Sequence, residues 1–118
     1  MDTRFEANVR SQPGSAVIDL RGEIDAFAEV GLNQAYAEAE QLNQSNIVLN
    51  FQKVDYINST GIALIVGLLA QARKLHRRMV VFGLSDHYQE IFQITRLADF
   101  MQIFPDETSA LKDLAVIH

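Results

Sequence analysis

The sequence predicts a single α/β domain: a mixed, mostly parallel sheet with an antiparallel hairpin at its N-terminus and about four helices. Three observations carry this reading. Short apolar runs of strand length alternate along the chain with stretches whose apolar residues recur at helical spacing. A Pro-Gly pair separates the first two strand-like segments, which is hairpin chemistry, whereas each later strand is followed by a helix, as parallel crossovers require. The 118 residues, 48% of them hydrophobic, suffice for one core and are few for two, so residues 1–118 read as one domain.

Phe5, Ala7 and Val9 alternate with Arg4, Glu6, Asn8 and Arg10, the period of a strand with one wet face. In Ser11-Gln12-Pro13-Gly14-Ser15, Pro sets φ for a turn and Gly accepts the positive φ after it. The return strand puts Ala16, Ile18 and Leu20 on one face and Val17, Asp19 and Arg21 on the other, then reaches Gly22-Glu23-Ile24-Asp25. Leu32, Ala35, Tyr36, Ala39 and Leu42 define an amphipathic helix. Ile47-Val48-Leu49-Asn50-Phe51 is nearly continuous in apolar character, as expected of a central strand covered on both faces.

Periodicity alone leaves 62–70 open between strand and helix, because the run is apolar all round. Its entry through Asn58-Ser59-Thr60-Gly61 supplies N-cap residues, and its exit into Gln71, Arg73, Lys74 and Arg77 supplies C-terminal cations, so it reads as a buried apolar helix. Met79-Val80-Val81-Phe82-Gly83 is another buried strand. Ser85 caps a helix that buries Tyr88, Ile91, Phe92 and Thr95, and Met101-Gln102-Ile103-Phe104 is a last short strand. Pro105 and Asp106 open a final helix through Ala110, Leu111 and Leu114. The 51–61 connection lies where a strand gives way to a helix, the place at which such sheets gather ligand and partner sites.

Composition removes several classes of function. With no cysteine the chain has neither a disulfide framework nor a thiolate metal site, which fits a cytoplasmic setting. The segment Met1-Asp2-Thr3-Arg4-Phe5-Glu6 lacks an apolar stretch of signal-peptide length, and the run at 62–70 is interrupted by Gly67 and too short to span a bilayer, so no membrane insertion is expected. A net charge of −5 repels a phosphate backbone on average, and the one basic cluster, Arg73, Lys74, Arg77 and Arg78 with His76, reads as a helix end favoured by the macrodipole. Direct nucleic-acid binding is therefore not expected.

Catalytic signatures are equally sparse. The six glycines are too scattered for a dinucleotide fingerprint or a P-loop, so no nucleotide cofactor is expected. Of His76, His87 and His118, only His87 lies near carboxylates, Asp86 and Glu90, which is an ordinary helix surface, and no metal is expected. Glu23 and Asp25 could begin an acid–base pair, yet two acids at a strand end are more often loop solvation. Ser59 has Ile57 where a nucleophile elbow needs glycine, and acyl transfer is not expected. The chain is expected not to be an enzyme.

That leaves Asp55-Tyr56-Ile57-Asn58-Ser59-Thr60-Gly61. On the residues alone two readings stand side by side. In the first, Asn58 or Ser59 simply caps a helix, contributing ~1 kcal/mol. In the second, an exposed serine at a helix N-terminus is a place where backbone donors and the dipole favour an added phosphate, so modification would change the surface without unfolding the domain.

Together with Ile47-Val48-Leu49-Asn50-Phe51, the following Gly61-Ile62-Ala63-Leu64-Ile65 and the earlier Gly22-Glu23-Ile24-Asp25, this segment resembles the hallmark of STAS domains, specifically bacterial anti-sigma factor antagonists. The resemblance covers essentially the whole chain. It implies the STAS fold and a partner-switching role in which Ser59 is phosphorylated by an anti-sigma factor of serine-kinase type and restored by a PP2C-type phosphatase. The unphosphorylated protein would bind the kinase and free its target; the phosphorylated one would let go. Thr60 is the second candidate for modification. Asp25, Asn58, Ser59, Thr60, Gly61, Leu84 and Ser85 would face the partner, with Asp25 beside the serine and Gly83-Leu84-Ser85 near the same surface. Asn58 departs from the Asp common in that family and removes one charge beside the serine. An alternative within the same fold is a STAS subunit that binds the ATPase of a lipid ABC transporter.

Overall fold

The computed structural model describes residues 4–115; Met1, Asp2 and Thr3 of the segment considered for a signal peptide, and His118, lie outside the described residues. The elements follow in the expected order: β1 (Glu6–Gln12), β2 (Ser15–Ile24), α1 (Glu29–Gln41), β3 (Asn46–Ile57), α2 (Ser59–Lys74), β4 (Arg78–Phe82), α3 (Asp86–Ile94), β5 (Gln102–Phe104) and α4 (Glu107–Leu114). Short 3₁₀ turns, Ala26–Ala28 and Leu97–Asp99, precede α1 and β5.

The five strands form one sheet in sequence order, with β1 antiparallel to β2 and every other pair parallel. Pro13 and Gly14 make the hairpin loop between Gln12 and Ser15, and Gly14 takes the positive φ of +77° that the turn demands. Ala16, Ile18 and Leu20 join the larger core beneath α1, α2 and α3; Val17 faces the opposite way, joining Val48, Val80, Phe82 and Ala110 under α4. β3 is therefore central and covered on both faces, which is why its first half is nearly continuous in apolar character.

Five details differ from the sequence reading. β3 does not stop near Phe51 but continues to Ile57, so most of 51–61 is strand, not connection. Two points at which β3 carries one residue more than β2 keep the pair in register along this extension, ending at Ile24 opposite Ile57. α2 is not buried all round: Ala63, Val66, Gly67 and Ala70 are exposed, while Ile65, Leu68, Leu69 and Ala72 face the core. Thr95 is exposed as the C-cap of α3, where its hydroxyl donates to the Ile91 carbonyl at 2.8 Å, and Leu42 is likewise an exposed C-cap. Pro105 precedes the N-cap of α4, which is Asp106, accepting from Ser109 N at 2.8 Å.

The basic cluster is divided. Arg73 and Lys74 occupy the last turn of α2, where the dipole favours them, and the Arg73 guanidinium lies 5.3 Å from the centre of the Phe100 ring. Arg77 lies beyond the helix and pairs with Glu40 at 3.4 Å, and Arg78 opens β4 and pairs with Asp113 at 2.9 Å. Internal partners thus absorb two of the four cations. Among the described residues no helix is long and apolar enough to cross a membrane.

On the α4 side, Arg10 bridges Asp19 at 2.6 Å and Glu107 at 2.5 Å, and Asn50 also donates to Asp19, at 2.7 Å. Burial alone would raise the Asp19 pKa, but the hydrogen bonds from Arg10 and Asn50 outweigh it and hold it below its usual value; the Arg10 hydrogen bond lowers Glu107 likewise. Because both folded values lie below the unfolded ones, this stabilisation is present at neutral pH and lost as pH falls through the lowered values, below about 4. Arg10→Met is expected to cost about 2 kcal/mol in urea denaturation at pH 7. The gap to wild type should narrow as the buffer is acidified below about pH 4, when the two carboxyls protonate.

Candidate functional site

The long β3 carries the chain past the end of β4 and delivers the Asn58–Ser59 step to one end of the sheet. β4 pairs with β3 only as far as Phe82 opposite Asn50, because Gly83, at φ +81°, turns the chain away. Its Cα packs so close to Gln52 that an added Cβ would stand 2.5 Å from Gln52 Cγ and 2.9 Å from Gln52 N. Residues 51–57 are thus paired to β2 along one edge, with α3 in place of a strand beyond the other. On that second edge Gln52 N donates to Asn50 Oδ1 at 2.9 Å, and Ile57 N donates to the Tyr88 hydroxyl at 2.9 Å.

Asn58 ends the strand and begins the helix. Its N–H donates to the Ile24 carbonyl at 3.2 Å, its side-chain oxygen accepts from Gly61 N at 2.8 Å, and its carbonyl accepts from Ile62 N at 3.0 Å. The cap is therefore Asn58 and not Ser59, which is the first residue of α2 and exposed, as is Thr60. The first N–H groups of a helix lack intrahelical acceptors. Asn58 takes that of Gly61, leaving those of Ser59 and Thr60 for solvent or an added anion. Gly61 is buried against β2: a Cβ there would lie 2.1 Å from the Ile24 carbonyl oxygen and 2.9 Å from Ile57 Cγ2. That close approach is the physical reason for glycine after Asn-Ser-Thr.

Asp25 follows Ile24 directly and so lies next to this junction. Its carboxylate caps the Ala26–Ala28 turn by accepting from Phe27 N at 2.9 Å, and the turn packs against α2. Phe27 itself is 95% exposed, an unusual position for an aromatic ring. Glu23 lies opposite Tyr56 in the β2–β3 ladder, and it and Asp25 border one open depression with Phe5, Phe27 and Gly31. Ser85 caps α3 by accepting from Tyr88 N at 3.3 Å, and is exposed. Leu84 is buried, so it supports this surface from beneath. His87 meets the Tyr88 ring at 4.9 Å, and among the described residues no cluster of three His, Cys, Asp or Glu side chains could hold a metal ion.

Between the start of α2 and α3 lies an open, largely apolar groove of about 380 Å³, lined by Tyr56, Ser59, Ile62, His87, Tyr88 and Ile91 among others. Sequence reasoning assigned Tyr88 to the core face of its helix and missed its hydroxyl's task. The signal was present: a tyrosine whose ring packs against the core tends to find a hydrogen-bond partner for its hydroxyl, and a strand overhanging its neighbour supplies an unpaired N–H. It also missed Phe27, whose exposure follows from a turn that could not be read from spacing.

A family model described as the STAS domain matches residues 6–110. The chain belongs to that family. The STAS chain is 33% identical over 87 residues to the anti-sigma-B factor antagonist of Listeria monocytogenes, an alignment that covers 73% of this chain and 75% of the relative. Among solved structures, an anti-sigma factor antagonist from Mycobacterium paratuberculosis superposes with a TM-score of 0.82 at 18% identity, covering 96% of each chain. The Bacillus cell fate determinant SpoIIAA in its phosphorylated form gives 0.70 at 22% identity, over 94% of this chain and 99% of that one. At these identities the two structures speak for the fold, and the fold expected from the sequence is the one found.

Proposed function

We propose that this STAS domain is a non-enzymatic anti-sigma factor antagonist whose hold on its partner is governed by phosphorylation of Ser59. The observation that carries the reading is the position of Ser59: an exposed hydroxyl on the first residue of α2, beside a cap that already belongs to Asn58. Because the hydroxyl holds no capping bond, modifying it costs the fold little. A kinase would form the bond from Ser59 Oγ to the γ-phosphorus of ATP as the bond to the departing ADP breaks, and the hydroxyl proton would pass to a base of the kinase. The phosphate would bring about −1.5 to −2 charges to a helix start whose dipole and free N–H groups favour them.

The same phosphate is costly to desolvate against a partner seated over the Ser59 groove, the Asp25 turn and Ser85, so the modified protein lets go. An anti-sigma factor of serine-kinase type and a PP2C-type phosphatase would complete the cycle; the names of the relatives support an anti-sigma factor as partner, and the kinase and phosphatase are what the family resemblance implies. The neutral Asn58 leaves the phosphate as the added charge at the junction, which makes the contrast between the two states depend on Ser59.

Incubation with ATP and the serine-kinase anti-sigma factors of the same genome should place one phosphate on Ser59, mapped by mass spectrometry, and Ser59→Ala should take up none. Ser59→Asp should bind the kinase at least about tenfold more weakly than wild type. Equal binding, with no phosphate on Ser59 or Thr60 from any such kinase, would sink the proposal. Recovery of a transporter ATPase as the bound partner would direct attention to the lipid-transport alternative.

A further inference from the structure

We infer that the Tyr88 hydroxyl is a positioning group for Ser59, standing in for the strand that β3 lacks on its α3 side. The inference rests on the reading of Ser59 as the phosphorylated residue, and adds to it a group from another element that sets the geometry of the transfer.

Ser59 is oriented by its connection to the end of β3, and three bonds in succession define that end. Ile57 N–H is held by Tyr88 at 2.9 Å, Asn58 N–H by the Ile24 carbonyl at 3.2 Å, and Gly61 N–H by the Asn58 side chain at 2.8 Å. The second and third belong to the β2–β3 ladder and to the helix cap. The first does not belong to regular structure at all. β4 has already left the sheet after Phe82, so among the described residues no strand pairs with β3 along that edge beyond Asn50. A backbone donor in this half-buried place needs an acceptor, and the phenol supplies it.

The phenol is itself well placed to act as a fixed point. Tyr88 sits in the first turn of α3, its own N–H held by the Ser85 hydroxyl, and α3 is anchored by Phe92, which is fully buried against the Phe51 ring of β3 at 6.0 Å between centroids. Phe51 and Ile57 bracket the overhang, so α3 clamps it at both ends through Phe92 and Tyr88. The Tyr88 side chain also lines the groove that Ser59 lines, so the group that holds the strand end forms part of the surface presented to a kinase. Without the hydroxyl, the end of β3 is tied on the β2 side alone and gains freedom to rotate about that edge, carrying Asn58 and Ser59 with it. Small misplacements of a nucleophile are costly in rate even where binding survives.

Tyr88→Phe keeps the ring and removes the acceptor, so it is the test. With the cognate serine kinase and ATP, formation of the Ser59 Oγ–phosphorus bond, with release of ADP, should fall about tenfold in kcat while KM changes less than about twofold. Amide exchange should quicken at Ile57 and Gly61 and stay unchanged in β4. Arg10→Met, on the opposite face of the sheet, serves as the control for stability loss alone and should be phosphorylated at the wild-type rate. Wild-type kinetics in Tyr88→Phe would overturn the inference alone, as would an equal loss in Arg10→Met. Absence of phosphate on the wild type with every candidate kinase would overturn the reading of Ser59 and this inference with it.

Discussion

Gly61→Ala is expected to lower the stability of this STAS domain by about 3 kcal/mol, seen as a drop of about 10 °C in the thermal midpoint. The added methyl has no room. Its carbon would sit 2.1 Å from the Ile24 carbonyl oxygen and 2.8 Å from the Ile24 carbonyl carbon, and both belong to main chain, which cannot swing aside as a side chain does. Relief requires moving the first turn of α2 away from β2, which breaks the Asn58–Ile24 hydrogen bond that joins the two. Gly67→Ala on the same helix separates this effect from helix propensity. Gly67 is exposed with nothing within 4 Å of an added Cβ, so alanine there is expected to stabilise by about 0.5–1 kcal/mol. Opposite signs for the two substitutions in one denaturation series would establish that Gly61 is required by close approach; equal signs would refute it.

Phe92→Ala is expected to cost about 4 kcal/mol in chemical denaturation. Phe92 is the one fully buried side chain of α3, and it packs edge-on against Phe51, with planes at 83°. Truncation removes the transfer energy of a large ring and leaves a cavity that a short helix with one fully buried side chain fills only by shifting. The loss should be local as well as global. Amide exchange in α3 should accelerate more than in β2 or β3, because the strands keep the rest of the large core, and the exchange of Ile57 should follow α3 as the Tyr88 hydroxyl withdraws. Uniform acceleration across the sheet would mean that α3 is not an independent clamp.

Much of this was legible in the sequence. Strands and helices were readable because burial imposes periods: alternation in β1 and β2, nearly continuous apolar runs in β3 and β4, and a 3.6-residue repeat in α1. Those periods survive in any one-dimensional reading since each reflects a residue's own face. The junction at 58–61 was readable as a helix start because capping chemistry is local, and its family resemblance pointed to Ser59. The boundaries were less accessible. β3 runs on past Phe51 with Gln52, Lys53, Asp55 and Tyr56 all exposed, so hydrophobicity falls away while pairing with β2 continues. The apparent all-round apolarity of α2 similarly hid an exposed side of Ala63, Val66, Gly67 and Ala70, small residues whose exposure costs little and leaves no polar mark.

The sequence by itself determined the fold class, the order of the elements and the helix start at 58–61, because these depend on local propensity, capping and the side of an element on which apolar groups fall; the emphasis on Ser59 came from the family resemblance. Tertiary structure alone decided that Asn58 caps while Ser59 stays free, that Gly61 answers to the Ile24 carbonyl, and that Tyr88 holds the end of β3. The last two depend on atoms brought together from segments distant in sequence, and a hydrogen bond or a steric limit between such atoms leaves no periodic trace along the chain; the first is local, but Asn58 and Ser59 carry equivalent capping chemistry, and only the folded backbone separates them.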